Sequence, residues 1–323
     1  MNELRAVPYE PARRDDVWRL MEDVWGEYVS QEHFDWWFEH NPAGPRLITL
    51  VDDEGGRLVG TLGMSFARAL VAGRELVASV TVHGATDAAF RGRGIFQLLN
   101  RVNEDESREL GAHFLLAFSS ANSRPIFTGP LGWSEIAAPR YWLCPLRPLS
   151  ALRSLRGRPP RGGLCSRPGP NVVDSFDAAA ERTWRDAAPA LRSHFARDLE
   201  YLRWRYTESP RGYRILRVGR SYAVVGHTIH HGLSAGYLAD LVAPPDAGAE
   251  VRLLLRRCLH EVEADVFMTL PPRPPAHRRA LLSLGFLPTP QTIRVLAKTV
   301  EPGLELPART RDWHFMLGDT DFF

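Results

Sequence analysis

Residues 80–99 read VTVHGATDAAFRGRGIFQLL, and this stretch decides the fold. Apolar residues alternate over Leu76–Thr86, which predicts a strand, and they recur at helical spacing over Ile95–Leu110, which predicts a helix. Two glycines, Gly92 and Gly94, stand between the two elements. A strand that turns through paired glycines into an amphipathic helix is typical of mixed α/β folds.

The turn has the composition of an anion-binding site. Glycine lets the main chain adopt conformations that a Cβ forbids and lets it approach a ligand closely. The first N–H groups of the helix lack partners within the helix, and the positive end of the helix dipole lies behind them. Arg91 and Arg93 add positive charge next to Gly92 and Gly94. The sequence therefore predicts a pyrophosphate site, although it matches neither GxxxxGK[ST] nor GxGxxG. The alternative is a helix that merely begins at these residues.

The elements around this segment define the fold class. A helix is predicted over Asp15–Val29, followed by antiparallel strands up to the segment itself. After the segment come a strongly apolar strand at His113–Phe118, a short helix, and a last strand at Tyr141–Pro145. This order predicts an α/β protein with a mixed, mostly antiparallel central sheet.

The second half of the chain repeats patterns of the first. Residues 34–48, FDWWFEHNPAGPRLI, are matched by LRWRYTESPRGYRIL at residues 202–216. Leu131-Gly132-Trp133 is matched by Leu284-Gly285-Phe286. Two matches in the same order predict a tandem repeat of one domain type.

The expected division of the chain follows from this repeat: a first domain over 1–149, a linker rich in Arg, Pro and Gly over 150–172, a second domain over 173–304, and a tail over 305–323. Repeated Pro and Gly predict a linker without helix or strand. Its arginines favour a solvated linker, with an arm that binds phosphate or RNA as the alternative. The aromatic tail is expected to dock.

Whole-chain composition excludes several classes of protein. With 323 residues, 44% hydrophobic and 24% charged, the chain is neither disordered nor a coiled coil. No window approaches the roughly 18 apolar residues of a membrane span. A net charge of +2 gives no global attraction to nucleic acid or anionic lipid. Three widely spaced cysteines predict no disulfide framework and favour the cytoplasm. No metal is expected, since His230 and His231 would point to opposite faces of a strand.

The residues of the turn also carry a resemblance to a known family. Arg91-Gly92-Arg93-Gly94-Ile95-Phe96 resembles motif A of the GNAT superfamily of acyl-CoA N-acyltransferases, [Q/R]-x-x-G-x-[G/A] after a strand. The stretch from Asn122 to Trp133 resembles the downstream N-x-x-A/P…LGF motif. Phe96 departs from the last small residue of motif A, and Ala88 replaces the usual proline. The resemblance covers about residues 5–148.

The resemblance implies two GNAT-like domains, each with a mostly antiparallel sheet, a splayed parallel pair of strands and flanking helices. The second copy is degenerate. Residues 243–249, APPDAGA, lack the arginine and the paired glycines of the first copy, and their two prolines remove N–H donors. This half of the chain is therefore not expected to bind coenzyme A.

The same resemblance implies a co-substrate and the residues that bind it. The donor is an acyl-CoA, with acetyl-CoA expected. The main chain of Gly84, Ala85 and Thr86 would pair with its pantetheine arm, while Asn122 and Phe127 would flank the pantetheine and the thioester. The N–H groups that would hold the pyrophosphate belong to Arg91, Gly92, Arg93, Gly94, Ile95 and Phe96.

The implied reaction is direct N-acyl transfer to a primary amine of a small molecule or to an α-amino group. A neutral amine attacks the thioester carbonyl, a main-chain N–H polarises that carbonyl, and a base removes the proton. His83, Asp87 and Glu135 are candidate bases; His83 could instead be structural, and Asp87 could cap a turn. Thr128 stands where family members often place the tyrosine that protonates the thiolate.

The C-terminal tail adds further candidates. Some tandem relatives bring their C-terminus into the active site as the base, which makes Asp319 or Asp321 a candidate here. The alternative is a tail that only seals the protein.

Two other functions remain compatible with the sequence. The basic linker fits a Fem-like transferase that takes an aminoacyl group from tRNA. Phe96 and Thr128 fit a non-catalytic module that binds coenzyme A. The expected partner is a small-molecule or peptide amine; no membrane is expected, nucleic acid is disfavoured, and a homo-oligomer is compatible with the sequence.

Overall fold

A computed structural model describes residues 4–26 and 30–320. The chain divides into two compact units. The first unit comprises residues 1–137 and 294–308, and the second unit comprises residues 138–293 and 309–323. The first domain was expected to cover 1–149. The first unit instead ends at Ala137 and includes residues 294–308 from the far end of the chain.

The helices are mostly short, and polar side chains begin several of them. In chain order they are α1 (Arg14–Trp25), α2 (Gln31–Phe38), α3 (Ile95–Glu109), α4 (Arg124–Thr128), α5 (Pro148–Leu155), α6 (Ala178–Ala187), α7 (Leu199–Leu202), α8 (Gly248–His260) and α9 (Pro275–Ser283). Ser30, Asp177 and Asp198 accept hydrogen bonds from the first turns of α2, α6 and α7, which satisfies N–H groups that have no partner inside a helix.

The strands form two main sheets. In chain order they are β1 (Arg5–Pro8), β2 (Leu47–Asp52), β3 (Leu58–Val71), β4 (Arg74–Thr86), β5 (Phe114–Ser119), β6 (Ser134–Ala137), β7 (Arg140–Pro145), β8 (Gly163–Leu164), β9 (Val172–Val173), β10 (Ser193–Phe195), β11 (Arg214–Val218), β12 (Ser221–His230), β13 (Leu233–Val242), β14 (Val262–Glu263), β15 (Val266–Thr269), β16 (Leu287–Thr292), β17 (Arg294–Thr299) and β18 (Trp313–His314).

The first unit has the strand order β1-β2-β3-β4-β5-β17-β6. Its neighbours are antiparallel except for β4 and β5, which are parallel. Helix α3 packs Ile95 and Leu99 against Val51, Val59 and Leu62 of the sheet. The predicted α/β class with a mixed, mostly antiparallel sheet is therefore confirmed.

The second unit has the strand order β9-β11-β12-β13-β15-β7-β16. Its parallel pair is β13 and β15, and the other neighbours are antiparallel. Helix α8 follows β13 as α3 follows β4, and its residues Leu254, Leu255 and Cys258 are buried in the core of this unit. Position by position, the neighbouring strands of this sheet have the same parallel or antiparallel orientations as those of the first, and the tandem repeat stays a prediction.

Strands β7 and β17 each lie in the sheet of the other half of the chain. The strand predicted at Tyr141–Pro145 exists as β7, but it lies between β15 and β16 of the second unit instead of closing the first. In return, β17 lies between β5 and β6. Alternating apolar residues identify a strand and its buried face, but they do not identify its partner.

The segment expected to be an unstructured linker is partly regular. It contains most of α5, and β8 pairs with β14. Pro148 suits the first turn of a helix, and the Leu, Ala and Arg residues that follow are good helix formers. Residues 309–320 of the tail lie within the second unit, where β18 pairs with β10 and Trp313 is fully buried. Among the described residues, no helix is both long and apolar enough to cross a bilayer.

Candidate functional site

An irregularity in β4 lies at the centre of the site. Two residues of β4, His83 and Gly84, lie opposite the single residue Leu62 of β3. His83 has a φ of 50°, in the left-handed region that residues with a Cβ rarely adopt. Such a bulge bends the strand and changes the direction of its side chains, and bulges are common next to active sites.

Strand β4 separates from β5 just before this bulge. The last parallel pair joins Val80 to Leu116, and the hydroxyl of Thr81 donates to the main-chain oxygen of Leu116 at 3.3 Å. Among the described residues, the segment of β4 from Val82 to Thr86 pairs with β3 and with no other strand. The other edge of the strand therefore presents main-chain N–H and C=O groups, which can pair with the amides of an extended ligand.

The N-terminus of α3 provides the second part of the site. Gly92 and Gly94 have φ values of 78° and 80°, and Gly94 is the N-cap residue. No side chain of the described residues caps the helix, so its first N–H groups have no partner within it. Arg91, Gly92 and Arg93 are exposed, and a Cβ on Gly92 would meet no described atom within 4 Å. The turn thus presents main-chain N–H groups at the positive end of a helix dipole, an arrangement that suits an anion; we call it the cradle (residues 91–96).

These two parts lie next to each other. A Cβ on Gly60 of β3 would overlap the side chain of Ile95, so the glycine is what allows the start of α3 to pack directly on the sheet. A Cβ on Gly84 would lie 3.5 Å from the Cε2 atom of Phe96. The cradle therefore lies next to the bulged edge of β4. Gly84, Ala85 and Thr86 belong to the strand, and residues 91–96 form the turn and the start of the helix.

Phe96, the departure from motif A, has a packing role. Its half-buried ring meets the ring of Phe127 edge-on, with the centroids 5.4 Å apart. Phe127 is itself only 3% exposed and also contacts Trp133, at 4.6 Å between centroids. Phe127 therefore lies in the core behind Phe96. Asn122 lies in the exposed turn that follows β5, where Ser120 and Ser123 hydrogen-bond to each other.

The ring of His83 lies within a group of aromatic side chains from α2. Its centroid is 5.6 Å from that of Trp37, 5.6 Å from that of Phe38 and 6.0 Å from that of His33. These contacts explain how the left-handed conformation is maintained, because the ring is held from several sides. Sequence reasoning missed this cluster, although the spacing of aromatic residues in the stretch HFDWWF predicts a buried helix face.

The other candidate bases already have cationic partners. The carboxylate of Asp87 accepts a hydrogen bond from the N–H of Ala89 at 2.8 Å and pairs with Arg57. Asp87 therefore caps the turn before the cradle, as its alternative role predicted. Glu135 pairs with Arg124 at 3.0 Å and with Arg294 at 2.8 Å.

Thr128 has a local hydrogen bond. Its hydroxyl donates to the main-chain oxygen of Arg124 at 3.1 Å, one turn earlier in α4. This bond uses the single proton of the hydroxyl, so Thr128 does not replace the missing tyrosine as a proton donor in this arrangement.

The candidate base in the tail lies in a buried salt bridge. Both carboxylate oxygens of Asp319 are 2.7 Å from the Nη2 atom of Arg197, and the Nε atom of the same side chain is 3.1 Å from a carboxylate oxygen of Asp240. Burial alone would lower the pKa of Arg197, but the two carboxylates raise it above its ordinary value. Asp319 is therefore not available as a free base. Asp321 lies outside the described residues.

The histidines near residue 230 do not form a metal site. The Nε2 atom of His227 is 2.9 Å from the hydroxyl of Ser234, and Asp240 also accepts a hydrogen bond from Tyr206 at 3.0 Å. Over residues 4–26 and 30–320, no cluster of three or more His, Cys, Asp or Glu side chains could hold a metal ion. The three cysteines are free thiols.

The second unit contains the counterpart of the site. Strand β13 leaves β15 after Tyr237, and Ala239 is an extra residue opposite β12. The tail lies here, because a Cβ on Gly318 would be 2.8 Å from the main-chain oxygen of Ala239 and would overlap Tyr206. Helix α8 begins after Ala247 without the left-handed glycine pair of α3.

Comparison with solved structures gives the fold of this arrangement. A GCN5-related N-acetyltransferase from Kribbella flavida matches with a TM-score of 0.60 and 18% identity, over 93% of this chain and 72% of that one. A Saccharomyces cerevisiae N-myristoyltransferase with bound myristoyl-CoA matches with a TM-score of 0.65 and 11% identity, over 97% and 84%. The chain has the GNAT fold.

A third solved structure agrees with this fold. A GCN5-related N-acetyltransferase from Anabaena variabilis gives a TM-score of 0.63 at 10% identity, over 92% of this chain and 73% of that one. No model of a known protein family matches the sequence, and no curated protein matches it. At such low identities, the likeness establishes the GNAT fold alone.

Proposed function

We propose that the first unit is an acyl-CoA-dependent N-acyltransferase. The expected donor is acetyl-CoA, and the expected acceptor is a primary amine of a small molecule or an α-amino group. One observation carries the proposal: the open cradle at Gly92 and Gly94 adjoins the bulged edge of β4. An anion site next to an unpaired strand edge suits a ligand that joins a diphosphate to an extended chain of amides.

The residues present fit such a donor. The N–H groups at the start of α3 and the exposed side chains of Arg91 and Arg93 provide donors and positive charge for the two phosphates. The N–H and C=O groups of Gly84 and Thr86 lie along the edge of β4, where the amides of pantetheine would add as a further strand. Both contacts use the main chain, so they depend on backbone shape more than on side-chain identity.

In the proposed reaction, the amine nitrogen forms a bond to the thioester carbon and the carbon–sulfur bond breaks. The amine loses one proton to a base, and the released thiolate takes up one proton from water. A main-chain N–H at the bulge would polarise the thioester carbonyl. His83 is the proposed base, since it lies at the bulge, beside the edge of β4 where the donor would bind.

A thiol-release assay with acetyl-CoA, longer acyl-CoAs and a panel of primary amines tests this function. We expect turnover with at least one donor. His83→Asn, a residue that tolerates the left-handed conformation, should lower kcat by about 100-fold. It should change acyl-CoA affinity far less, because it removes the base while the N–H groups at the start of α3 stay in place.

Asp87→Asn is the matched control, as it also removes a titratable group next to the bulge. We expect it to change kcat by less than about threefold, since the amide oxygen can still cap the turn. Binding of acyl-CoA without turnover would indicate a binding module. Turnover with aminoacyl-tRNA alone would indicate a Fem-like transferase. Either result would contradict the proposal.

A further inference from the structure

Helix α5 in the second unit presents its large apolar residues to solvent. Leu149, Leu152 and Leu155 are 75%, 45% and 67% exposed. They recur every three residues, so they form a stripe along one side of this eight-residue helix. Single exposed leucines are ordinary, but a stripe of three on one helix indicates a contact surface.

The opposite side of α5 attaches the helix to the second unit. Ser150, Ala151 and Ser154 are half-buried, and the hydroxyl of Ser154 donates to a carboxylate oxygen of Asp265 at 3.2 Å. The N–H of Arg147, at the N-cap, donates to the main-chain oxygen of Asp265 at 3.0 Å. A surface helix normally turns its apolar side inward. Here, small and polar residues face the protein and leucines face outward.

The same segment is strongly basic. Residues 147–167, RPLSALRSLRGRPPRGGLCSR, contain six arginines and no acidic residue. All six are exposed, and Arg147 pairs with Glu263 at 3.4 Å. Two of them, Arg153 and Arg156, lie within one turn of the outward leucines, and Arg158 and Arg161 follow the helix. Apolar and cationic groups therefore share one surface, which we call the α5 surface (residues 147–161).

We propose that the α5 surface binds the face of an anionic lipid bilayer. The leucines would enter the boundary between headgroups and acyl chains, and the arginines would contact lipid phosphates. Leucines and arginines that face outward together favour this partner over RNA, which would contact the arginines but would leave the apolar stripe in water. The helix is far shorter than the roughly 20 residues of a membrane span, so it lies on the surface.

This proposal differs from the expectation that no membrane is involved. That expectation used the net charge of the whole chain, +2, in which the acidic residues of other segments cancel the local excess of arginine. Attraction to a charged surface falls off within about 10 Å at 0.1 M salt, so local charge decides binding. The proposal does not depend on the acyl-transfer function of the first unit.

Vesicle co-sedimentation with the full-length protein tests the proposal. We expect binding to vesicles of phosphatidylcholine with 30% phosphatidylglycerol to be at least tenfold stronger than to pure phosphatidylcholine, and to weaken in 0.5 M salt. Replacing Leu149, Leu152 and Leu155 with Gln should reduce binding by at least tenfold. These side chains are exposed, so circular dichroism and the thermal midpoint should be unchanged.

Exposed residues elsewhere in the second unit provide matched controls. Replacing three other exposed leucines with Gln should leave vesicle binding unchanged. They are 42%, 50% and 63% exposed and are Leu253, Leu282 and Leu287. The preference for anionic lipid should be lost when Gln replaces Arg153, Arg156 and Arg158. It should persist when Gln replaces three arginines of α8, Arg252, Arg256 and Arg257, which changes the charge by the same amount.

Three outcomes would overturn the proposal. The first is equal binding to neutral and anionic vesicles, or no binding to either. The second is equal loss of binding in the α5 variants and in their controls. The third is retention of tRNA or duplex DNA, but not vesicles, through the same arginines.

Discussion

The two units contain the same splayed pair of strands, and only one of the two pairs has the features of a binding site. In the first unit, β4 leaves β5 after Val80 and leads to an open turn with left-handed Gly92 and Gly94. In the second, β13 leaves β15 after Tyr237, and Gly318 of the tail lies against the strand. Where the first unit has exposed main-chain donors, the second has a buried ion pair between Arg197 and Asp319.

This difference separates what the fold provides from what individual residues provide. In both units, two parallel strands separate just before a bulge, so the fold provides this gap between them, which we call the notch. Paired glycines at the start of the following helix keep main-chain N–H groups accessible in the first unit. In the second unit, Pro244 and Pro245 remove donors, and Gly318 of the tail lies against Ala239 at the bulge of β13. A binding notch and a structural notch thus differ by a few residues.

The largest expected effect concerns the ion pair of the second unit. Asp319→Ala should lower the free energy of unfolding by about 3–5 kcal/mol, because it leaves Arg197 buried with half of its charge partners. Asp312→Ala is the control: it removes another tail carboxylate, whose partner Arg192 is 62% exposed, and it should cost about 1 kcal/mol or less. Urea denaturation measures both.

Asp319→Ala should affect the second unit and leave the proposed donor site unchanged. Affinity for acyl-CoA should be unchanged, because the proposed donor site lies in the first unit. Equal stability of the Asp319 and Asp312 variants would show that the tail does not depend on this ion pair.

A smaller effect is expected from pH. Burial lowers the pKa of His194 in the second unit to about 4, whereas an unfolded histidine titrates near about 6.5. Between these values the unfolded chain binds the extra proton, so stability decreases as the pH falls from 6.5 towards 4, by up to about 1.4 kcal/mol per pH unit. Burial lowers the pKa of His314 in the same way, and its effect adds to this decrease.

Replacing one histidine checks this pH dependence. His194→Gln should reduce the slope of stability against pH in that window by up to one proton, and the two proteins should have the same slope between pH 7 and 8. Denaturation midpoints at several pH values provide the measurement. An unchanged slope below pH 6.5 would mean that His194 is protonated in the folded protein.

Local sequence signals predicted the elements that surround the candidate site in the first unit. The strand, the glycine turn and the helix are adjacent in sequence, and the conformations of Gly92 and Gly94 follow from the absence of a Cβ. Asp87 caps the turn as its position suggested. These features depend on neighbouring residues, which a sequence shows directly.

Features formed by distant residues were harder to predict. Strand β7 pairs within the second sheet and strand β17 pairs within the first. Sequence order therefore assigned both strands to the wrong units. The network of Arg197, Asp240 and Asp319 joins residues up to 122 positions apart. Helix α5 was missed because the composition of the whole linker concealed a short run of good helix formers.

The central claim is that the first unit alone binds an acyl-CoA, through the start of α3. Titration calorimetry with acetyl-CoA tests it directly, using Gly94→Leu and, as its control, Gly111→Leu at the other end of the same helix. The two glycines have φ values of 80° and 87°, so both changes introduce similar backbone strain. We expect one site per chain, weakened at least about 30-fold, or by about 2 kcal/mol, in Gly94→Leu and unchanged in Gly111→Leu. Two sites per chain, or full affinity in Gly94→Leu, would contradict the account.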